Sequence, residues 1–237
     1  MFRHRGETRT LQHNLKIASL LSAVAGLVNV AGFLSVQQLT TNVTGHFAFF
    51  IDEVFQLRFL QGLIYFVYIF FFFAGSFVSN FLVEWMYKRN HTHTYNAPVL
   101  LECICLLLAV AGGEWLIAAH PDVLACLLLF AMGLQNSLVT TLSNATVRTT
   151  HLTGLFTDLG IELSQLFFYH KPEEKTKLLS SIRLRFTIIS FFFIGGIAGG
   201  ILYSAVGILC LTLAAALLIS GLVFDYVKLS FIRLKRR

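Results

Sequence analysis

Charged side chains are scarce in this sequence. Only 13% of its 237 residues are charged, 56% are hydrophobic, and the mean hydropathy is +0.73. A soluble domain of this length needs more polar surface, so the composition excludes that class and indicates an integral membrane protein. The long charge-free runs also lack the alternation of apolar and polar residues that is typical of barrel strands, which favours helices as the membrane spans.

Recognisable catalytic motifs are also missing. The sequence has no H-E-x-x-H, no G-x-S-x-G, no cysteine pair at metal-ligand spacing, and no histidine pair four residues apart on one span. We therefore predict that the protein is not an enzyme and uses no cofactor or metal; an intramembrane active site without a recognisable motif is the alternative. The four cysteines lie in apolar runs, where we interpret them as small hydrophobic residues: Cys103, Cys105, Cys126 and Cys210.

Charge-free runs of about 20 residues predict six membrane-spanning helices. The first run could be taken for a cleaved signal peptide, because arginines precede it. However, its Gly26-Leu27-Val28-Asn29 resembles Gly133-Leu134-Gln135-Asn136 in the fourth run, and a discarded signal has no reason to share a pattern with a mature span. The six predicted spans are residues 14–36, 60–84, 97–118, 122–143, 183–204 and 206–227.

The basic residues predict the orientation of these spans. All but one of the 18 Lys and Arg residues lie on the side of the two chain ends, and Arg58 alone lies on the other. The positive-inside rule then places both termini in the cytoplasm. The net charge of +6 follows from this topology and does not imply a nucleic-acid partner. Membrane lipids are the expected partners, and the basic C-terminal tail can contact their anionic headgroups.

A Thr-rich element occurs twice in the chain. Residues 40–59, TTNVTGHFAFFIDEVFQLRF, and residues 149–168, TTHLTGLFTDLGIELSQLFF, align without a gap. Nine positions are identical: Thr40/Thr149, Thr41/Thr150, Thr44/Thr153, Gly45/Gly154, Phe47/Phe156, Glu53/Glu162, Gln56/Gln165, Leu57/Leu166 and Phe59/Phe168.

The two copies follow spans that run in opposite directions, so they would face opposite sides of the membrane. We therefore predict one all-helical membrane domain, residues 1–237, built from two inverted three-helix repeats over residues 14–118 and 122–227. Each repeat would contain a Thr/Gly-rich break followed by a short re-entrant or interfacial helix. Small residues spaced by four in spans 2 and 5 allow close helix contact and a possible homodimer.

The T-T-x-x-T-G elements are the predicted substrate site. Their threonines can accept hydrogen bonds from N–H groups at a helix start, and glycine permits a close backbone approach. A helix beginning near Thr44 or Thr153 would direct its positive end toward an anion or a polarised carbonyl. The predicted substrate-binding residues are Thr40, Thr41, Thr44, Gly45, His46, Thr149, Thr150, His151, Thr153, Gly154, Asn29, Gln135 and Asn136.

Several of these residues also have a structural interpretation. The span amides can act as helix-packing contacts worth about 1 kcal/mol, and the two histidines can be hydrogen-bonded loop residues. Ionisable groups at membrane depth are expensive, so Glu53, Glu162 and Asp158 are predicted to couple protons or cations to transport. Alternatively, these acids are solvated at the membrane interface. Glu102 is either an acid that reaches the headgroups or a buried functional group.

The segments NVTGH after span 1, GLQN in span 4 and TTHLTG after it resemble the YoaK-like family, small bacterial membrane proteins classed as domain-of-unknown-function family 1275. The resemblance covers nearly the whole chain and implies a multi-pass protein of the bacterial inner membrane. The family pattern has an acid where this chain has Asn29, and Asn where it has His46, so an acid that would serve a coupling role in relatives is absent from span 1 here. The resemblance implies no substrate.

Inverted repeats with broken helices are typical of secondary transporters and some channels. We therefore predict a secondary transporter or channel-like permease for a small polar or anionic solute, bound between the two elements near the membrane midplane. The alternative is a non-transporting membrane sensor or assembly partner, which a closed helix bundle without a cavity at the two elements would favour.

Overall fold

A computed structural model describes residues 10–89 and 94–234 of the chain, with side chains described up to residue 227. Within these ranges the regular structure is entirely helical. Some of the residues that predict the orientation, Arg3, Arg5 and Arg9 at one end and Lys235, Arg236 and Arg237 at the other, lie outside the described residues.

The helices follow the predicted spans closely over the first 143 residues. The first four predicted spans differ from helices α1, α3, α4 and α5 by no more than four residues at any end. In order, the helices are α1 (Leu11–Val36), α2 (Val43–Phe55), α3 (Phe59–Lys88), α4 (Asn96–Ala119), α5 (Pro121–Ser143), α6 (Leu152–Gln165), α7 (Pro172–Val206) and α8 (Leu211–Leu234), with a 3-10 turn at Gly207–Cys210 between the last two.

Helix α7 begins well before the predicted span that it contains. It starts at Pro172 rather than near residue 183. Proline is favoured in the first turn of a helix because a backbone N–H at that position has no intrahelical partner, so its absence costs nothing. Glu173 and Glu174 follow it and interact favourably with the positive end of the helix. The basic segment that precedes the apolar run is therefore a helical extension of the same element.

The chain is a multi-pass membrane protein. Five stretches are long and apolar enough to cross a bilayer: Leu11–Val36, Phe59–Lys88, Asn96–Ala119, Pro121–Ser143 and Pro172–Val227. The last of these is 56 residues long and contains α7, the 3-10 turn and most of α8. Large apolar side chains cover the outer faces of the bundle, as a lipid environment requires, whereas α1 and α5 are its most buried helices.

Two helix pairs form the centre of the bundle, α1 with α7 and α3 with α5. Glycines bring their backbones into direct contact, so that a side chain at these positions would overlap a main-chain carbonyl of the facing helix. The contacts are reciprocal: Gly26 meets Phe192, Gly195 meets Ala23, Gly133 meets Phe72, and Gly75 meets Phe130.

The remaining helices surround this centre. Helix α4 packs against α5 and α8 and bends at Gly113, whose φ of 45° and ψ of −137° are not helical. The short helix α2 packs on α3 through rings such as Phe50 against Phe66, 6.0 Å apart, and α6 packs on α7. The arrangement leaves the segments that join α1 to α2 and α5 to α6 next to the central pairs.

Candidate functional site

One cavity of about 590 Å³ is lined by residues from both Thr-rich elements. Asn42, Val43 and Thr44 contribute the start of α2, and residues 151–154 contribute the start of α6. The other walls come mainly from the central helices, including Phe72 and Ser76 of α3 and Phe192 of α7. The two short helices thus begin at the same cavity, although 109 residues separate the equivalent positions in the sequence.

The first element is tied to α1 by its leading threonines. Thr41 Oγ1 donates a hydrogen bond of 2.7 Å to Asn29 Oδ1, and Thr40 Oγ1 donates one of 3.3 Å to the carbonyl of Val28. Thr40 is fully buried, whereas Asn29 and Thr41 also line the cavity. The amide of Asn29 therefore acts as a packing contact and as part of the cavity wall.

The second element is tied to α5 in the same way. Asn136 Nδ2 donates a hydrogen bond of 2.6 Å to Thr150 Oγ1. Gln135 Nε2 donates to the carbonyl of Leu21 at 3.0 Å and to Thr149 Oγ1 at 3.3 Å, so this amide also connects α5 to α1. The amides and threonines that the sequence predicted to act together are in direct contact.

The expected capping role of the threonines is wrong. Helix α2 begins at Val43, and its cap is Asn42, whose Oδ1 accepts a 3.1 Å hydrogen bond from the N–H of Gly45. Thr40 and Thr41 precede this position and bond back to α1 instead. Helix α6 begins at Leu152 after His151, which makes no side-chain capping bond. The first-turn N–H groups of α6 therefore have no side-chain cap and face the cavity region.

The structure divides the predicted substrate-binding residues into two groups. Those that line the cavity are Asn29, Thr41, Thr44, Thr150, His151, Thr153 and Gly154. Those that do not line it are Thr40, Gly45, His46, Thr149, Gln135 and Asn136.

The two histidines occupy different environments. His46 is fully buried, and its Nε2 donates a 2.6 Å hydrogen bond to the carbonyl of Leu39. Its ring packs edge-on against Tyr68 at 5.0 Å, away from the cavity lining. His151, by contrast, lines the cavity, and burial together with the positive charge of Arg148 lowers the pKa of its imidazole below the ordinary value of 6.5. His151 is therefore the cavity-lining histidine, and its neutral form is favoured.

Both repeated glutamates pair with an arginine. Glu53 Oε2 lies 2.7 Å from Arg58 Nε, five residues further along the same segment. Glu162 Oε2 lies 2.8 Å from Arg185 Nε on α7, and the Asp158 carboxylate lies 2.9 Å from Nη1 of the same arginine. The predicted coupling acids are thus neutralised by arginines in this structure. Arg185 could not be identified as a partner from the sequence, because 23 residues separate it from Glu162.

A second cavity, of about 260 Å³, lies beside the first under α6. Its polar lining includes Arg148, Asp158 and Arg185. His151 and Gly154 line both cavities, so the first turn of α6 is the wall between them.

A family model described as "Protein of unknown function (DUF1275)" matches residues 17–224, and the chain belongs to this family. No curated protein and no solved structure matches the chain.

Proposed function

We propose that this member of the DUF1275 family is a secondary transporter or channel-like permease for a small polar or anionic solute. The observation that carries the proposal is the single cavity lined by the first turns of both α2 and α6. Helix N-termini present unpaired N–H groups and a positive partial charge, so two of them at one cavity create a favourable position for an anion or a polar oxygen.

The size and the walls of the cavity fit a small solute. Its volume of about 590 Å³ is within the range of ordinary ligand sites. Thr44 and Thr153 offer hydroxyl groups, whereas Phe72 and Phe192 give apolar walls. His151 is the titratable side chain among the lining residues, so attraction of an anion rests on dipoles and not on a formal charge.

We further infer that the chain is built from two inverted repeats, residues 14–118 and 122–227, with α7 and α8 counted as separate spans. The reciprocal glycine contacts between α1 and α7 and between α3 and α5 support this symmetry. The equivalent pairs Asn29–Thr41 and Asn136–Thr150 support it independently. With both termini in the cytoplasm of a bacterial cell, the two elements would reach the cavity from opposite sides of the inner membrane.

Solute flux into proteoliposomes tests the proposal. Purified protein is reconstituted, and glycerol, urea, sodium acetate and sodium nitrate are offered in light-scattering swelling assays. We expect the protein to accelerate entry of at least one of them. The double variant T44A/T153A should reduce that flux on the order of tenfold or more, because two hydroxyl contacts to the solute are lost.

The matched control is Thr212→Ala, which removes an exposed threonine from α8, far from the cavity lining. It should leave the flux unchanged. A correctly folded protein that accelerates none of the four solutes would favour the non-transporting sensor or assembly partner. A flux that survives unchanged in T44A/T153A would remove the two elements from the path.

A further inference from the structure

Glu102 lies on the inward face of α4. The positions Val99, Glu102, Leu106 and Ala109 recur at helical spacing and are all fully buried. Helix α4 packs with α5 and α8, and the neighbouring thiol of Cys103 lies 3.8 Å from the carbonyl of Ala215 on α8. Because no part of the Glu102 side chain is exposed, it does not extend to the headgroups, and the first of its two sequence interpretations does not hold.

Among the described residues, the Glu102 carboxyl group also has no hydrogen-bond partner. Oε1 and Oε2 are both buried without a partner. Other acids close to the cavities or the short helices have partners: Glu53 pairs with Arg58, and Asp158 and Glu162 with Arg185. Asp122 likewise accepts a hydrogen bond from the Tyr68 hydroxyl. Within residues 10–89 and 94–227, Glu102 is therefore an acid placed in the bundle with neither a counter-charge nor a hydrogen-bond donor.

The surroundings of Glu102 carry no compensating charge among the residues described. On α4 the adjacent titratable groups are the thiols of Cys103 and Cys105, and the buried Tyr95 stands at the start of the helix two turns before Glu102. Buried titratable groups on the helices packed against α4, Tyr68, Cys126 and Cys210, lie toward the opposite end of the bundle. The charged side chains on the same side as Glu102 include Glu84 and Lys88 of α3, Arg89 directly after α3, and Asp225 of α8, and none of these is buried.

An unpaired carboxylate in this position is far more costly than an uncharged carboxyl group, because an ion loses its hydration on burial. The carboxyl therefore carries its proton in this conformation. It contributes no bond to the fold, so a purely structural role gives no reason for its presence. Ionisable groups inside membrane helices commonly mark proton or ion sites.

We propose that Glu102 is a proton-binding site that is loaded in this conformation and exchanges its proton with water in another. On unloading, the O–H bond of the carboxyl breaks and the proton passes to water that reaches the opened face of α4. Helix α5 provides the connection to the cavity, because it packs against α4 and carries Gln135 and Asn136, which hold the second Thr-rich element. The role of Glu102 in coupling rests on the proposed transport function, whereas its role as a proton-binding site does not.

Infrared difference spectroscopy tests proton binding without any solute. Wild-type protein in lipid nanodiscs is titrated from about pH 5 to about pH 9, a range that spans the ordinary titration of His and lies above that of Glu. We expect the wild-type spectrum to contain the carbonyl stretch of a protonated carboxyl in apolar surroundings. The spectrum of Glu102→Gln should lack this band. The matched control, Glu114→Gln, removes an exposed acid from the same helix and should keep the band. Glu102→Leu provides a second variant if the glutamine protein does not fold.

A wild-type spectrum without a band assignable to Glu102, or a band that does not change over the pH range, would overturn the proton site. Coupling is then tested with pyranine, a pH-sensitive dye, inside proteoliposomes exposed to whichever of glycerol, urea and nitrate permeates. Solute entry should move protons in the wild type, and E102Q should reduce that movement at least tenfold. Unchanged proton movement in E102Q would overturn coupling. If no solute permeates while the Glu102 band titrates, the proposed function fails and the proton site stands.

Discussion

Asn29 Oδ1 accepts a 2.7 Å hydrogen bond from Thr41 Oγ1 across the turn that separates α1 from α2. The bond fixes where the short helix starts relative to the spanning helix, and its equivalent joins Asn136 to Thr150 at 2.6 Å. Both members of the first pair line the central cavity, so the same contact sets the shape of the proposed site.

Replacing Asn29 by Leu should destabilise the protein by about 1–3 kcal/mol, because the Thr41 hydroxyl loses its acceptor in a part-buried position. Thermal unfolding in detergent measures the loss. Asn29→Asp keeps an acceptor oxygen and should retain most of the stability. Asn80→Ala is the control, since it removes an exposed 3.3 Å contact with Thr141 and should change little. Equal losses for the Leu and Asp variants would show that the acceptor is not what matters.

Gly133→Ala should destabilise the bundle by about 1–3 kcal/mol, because its methyl group would overlap the carbonyl of Phe72 and push α3 away from α5. Gly26→Ala should have the same effect against Phe192. Gly160→Ala on α6 is the matched control, since an added Cβ there meets nothing within 4 Å. Unfolding by a graded denaturant series compares the three. The idea of backbone contact fails if the control is as destabilised as the two central variants.

Arg185→Ala should loosen α6 from α7, because it leaves the carboxylates of Asp158 and Glu162 without their shared cation. We expect a loss of about 1–3 kcal/mol and faster amide hydrogen exchange confined to α6. Lys171→Ala removes an exposed 3.9 Å contact with Glu174 and should have no measurable effect. Adding Glu162→Gln to the Arg185 variant should restore part of the loss. Unchanged exchange in α6 would contradict the tethering role.

The His151 imidazole should make anion flux depend on pH. Burial and Arg148 lower its pKa, so the folded protein keeps it neutral at pH values where an ordinary histidine, with a pKa of 6.5, is already charged. The unfolded chain then binds more protons, and this group's contribution to stability declines as the pH falls through the unfolded pKa toward the folded one. Protonation adds a positive charge at the cavity, and anion flux should rise in acid.

Arg148→Ala should move the midpoint of that rise to higher pH, because it removes a repulsive charge, and His151→Gln should abolish the rise. Flux of sodium nitrate across a pH series measures both effects, with glycerol as the uncharged comparison. A midpoint that does not move in the arginine variant would mean that His151 does not sense Arg148 in the functioning protein.

The sequence predicts the spans and the grouping of polar residues, and much less of their individual contacts. Charge-free runs identify α1, α3, α4 and α5 because the cost of burying charge in lipid dominates all other signals there. The same signal misses the first part of α7, where Pro172 and two glutamates start a helix outside the apolar run. The repeat predicts that Asn29 and the threonines belong to one site. It cannot reveal that the threonine hydroxyls bond to the spanning helices, because this depends on Asn42 taking the capping position of α2.

The partners of the repeated acids also lie beyond sequence reasoning. Arg58 is close in the chain to Glu53, but Arg185 reaches Glu162 only through the packing of α6 on α7. The burial of Glu102 is a similar case, because a helix position near one end of a span is compatible with either lipid headgroups or the bundle interior. Tertiary packing alone selects between them.

The two glutamate–arginine pairs have the same chemistry but join different parts of the molecule. Glu53 bonds within its own segment, so its ion pair does not join α2 to another helix, whereas Glu162 fastens α6 to α7. A displacement of α7 is therefore transmitted to the wall between the two cavities and not through an equivalent tether to α2. The two Thr-rich elements are therefore anchored differently, although nine of their twenty positions are identical.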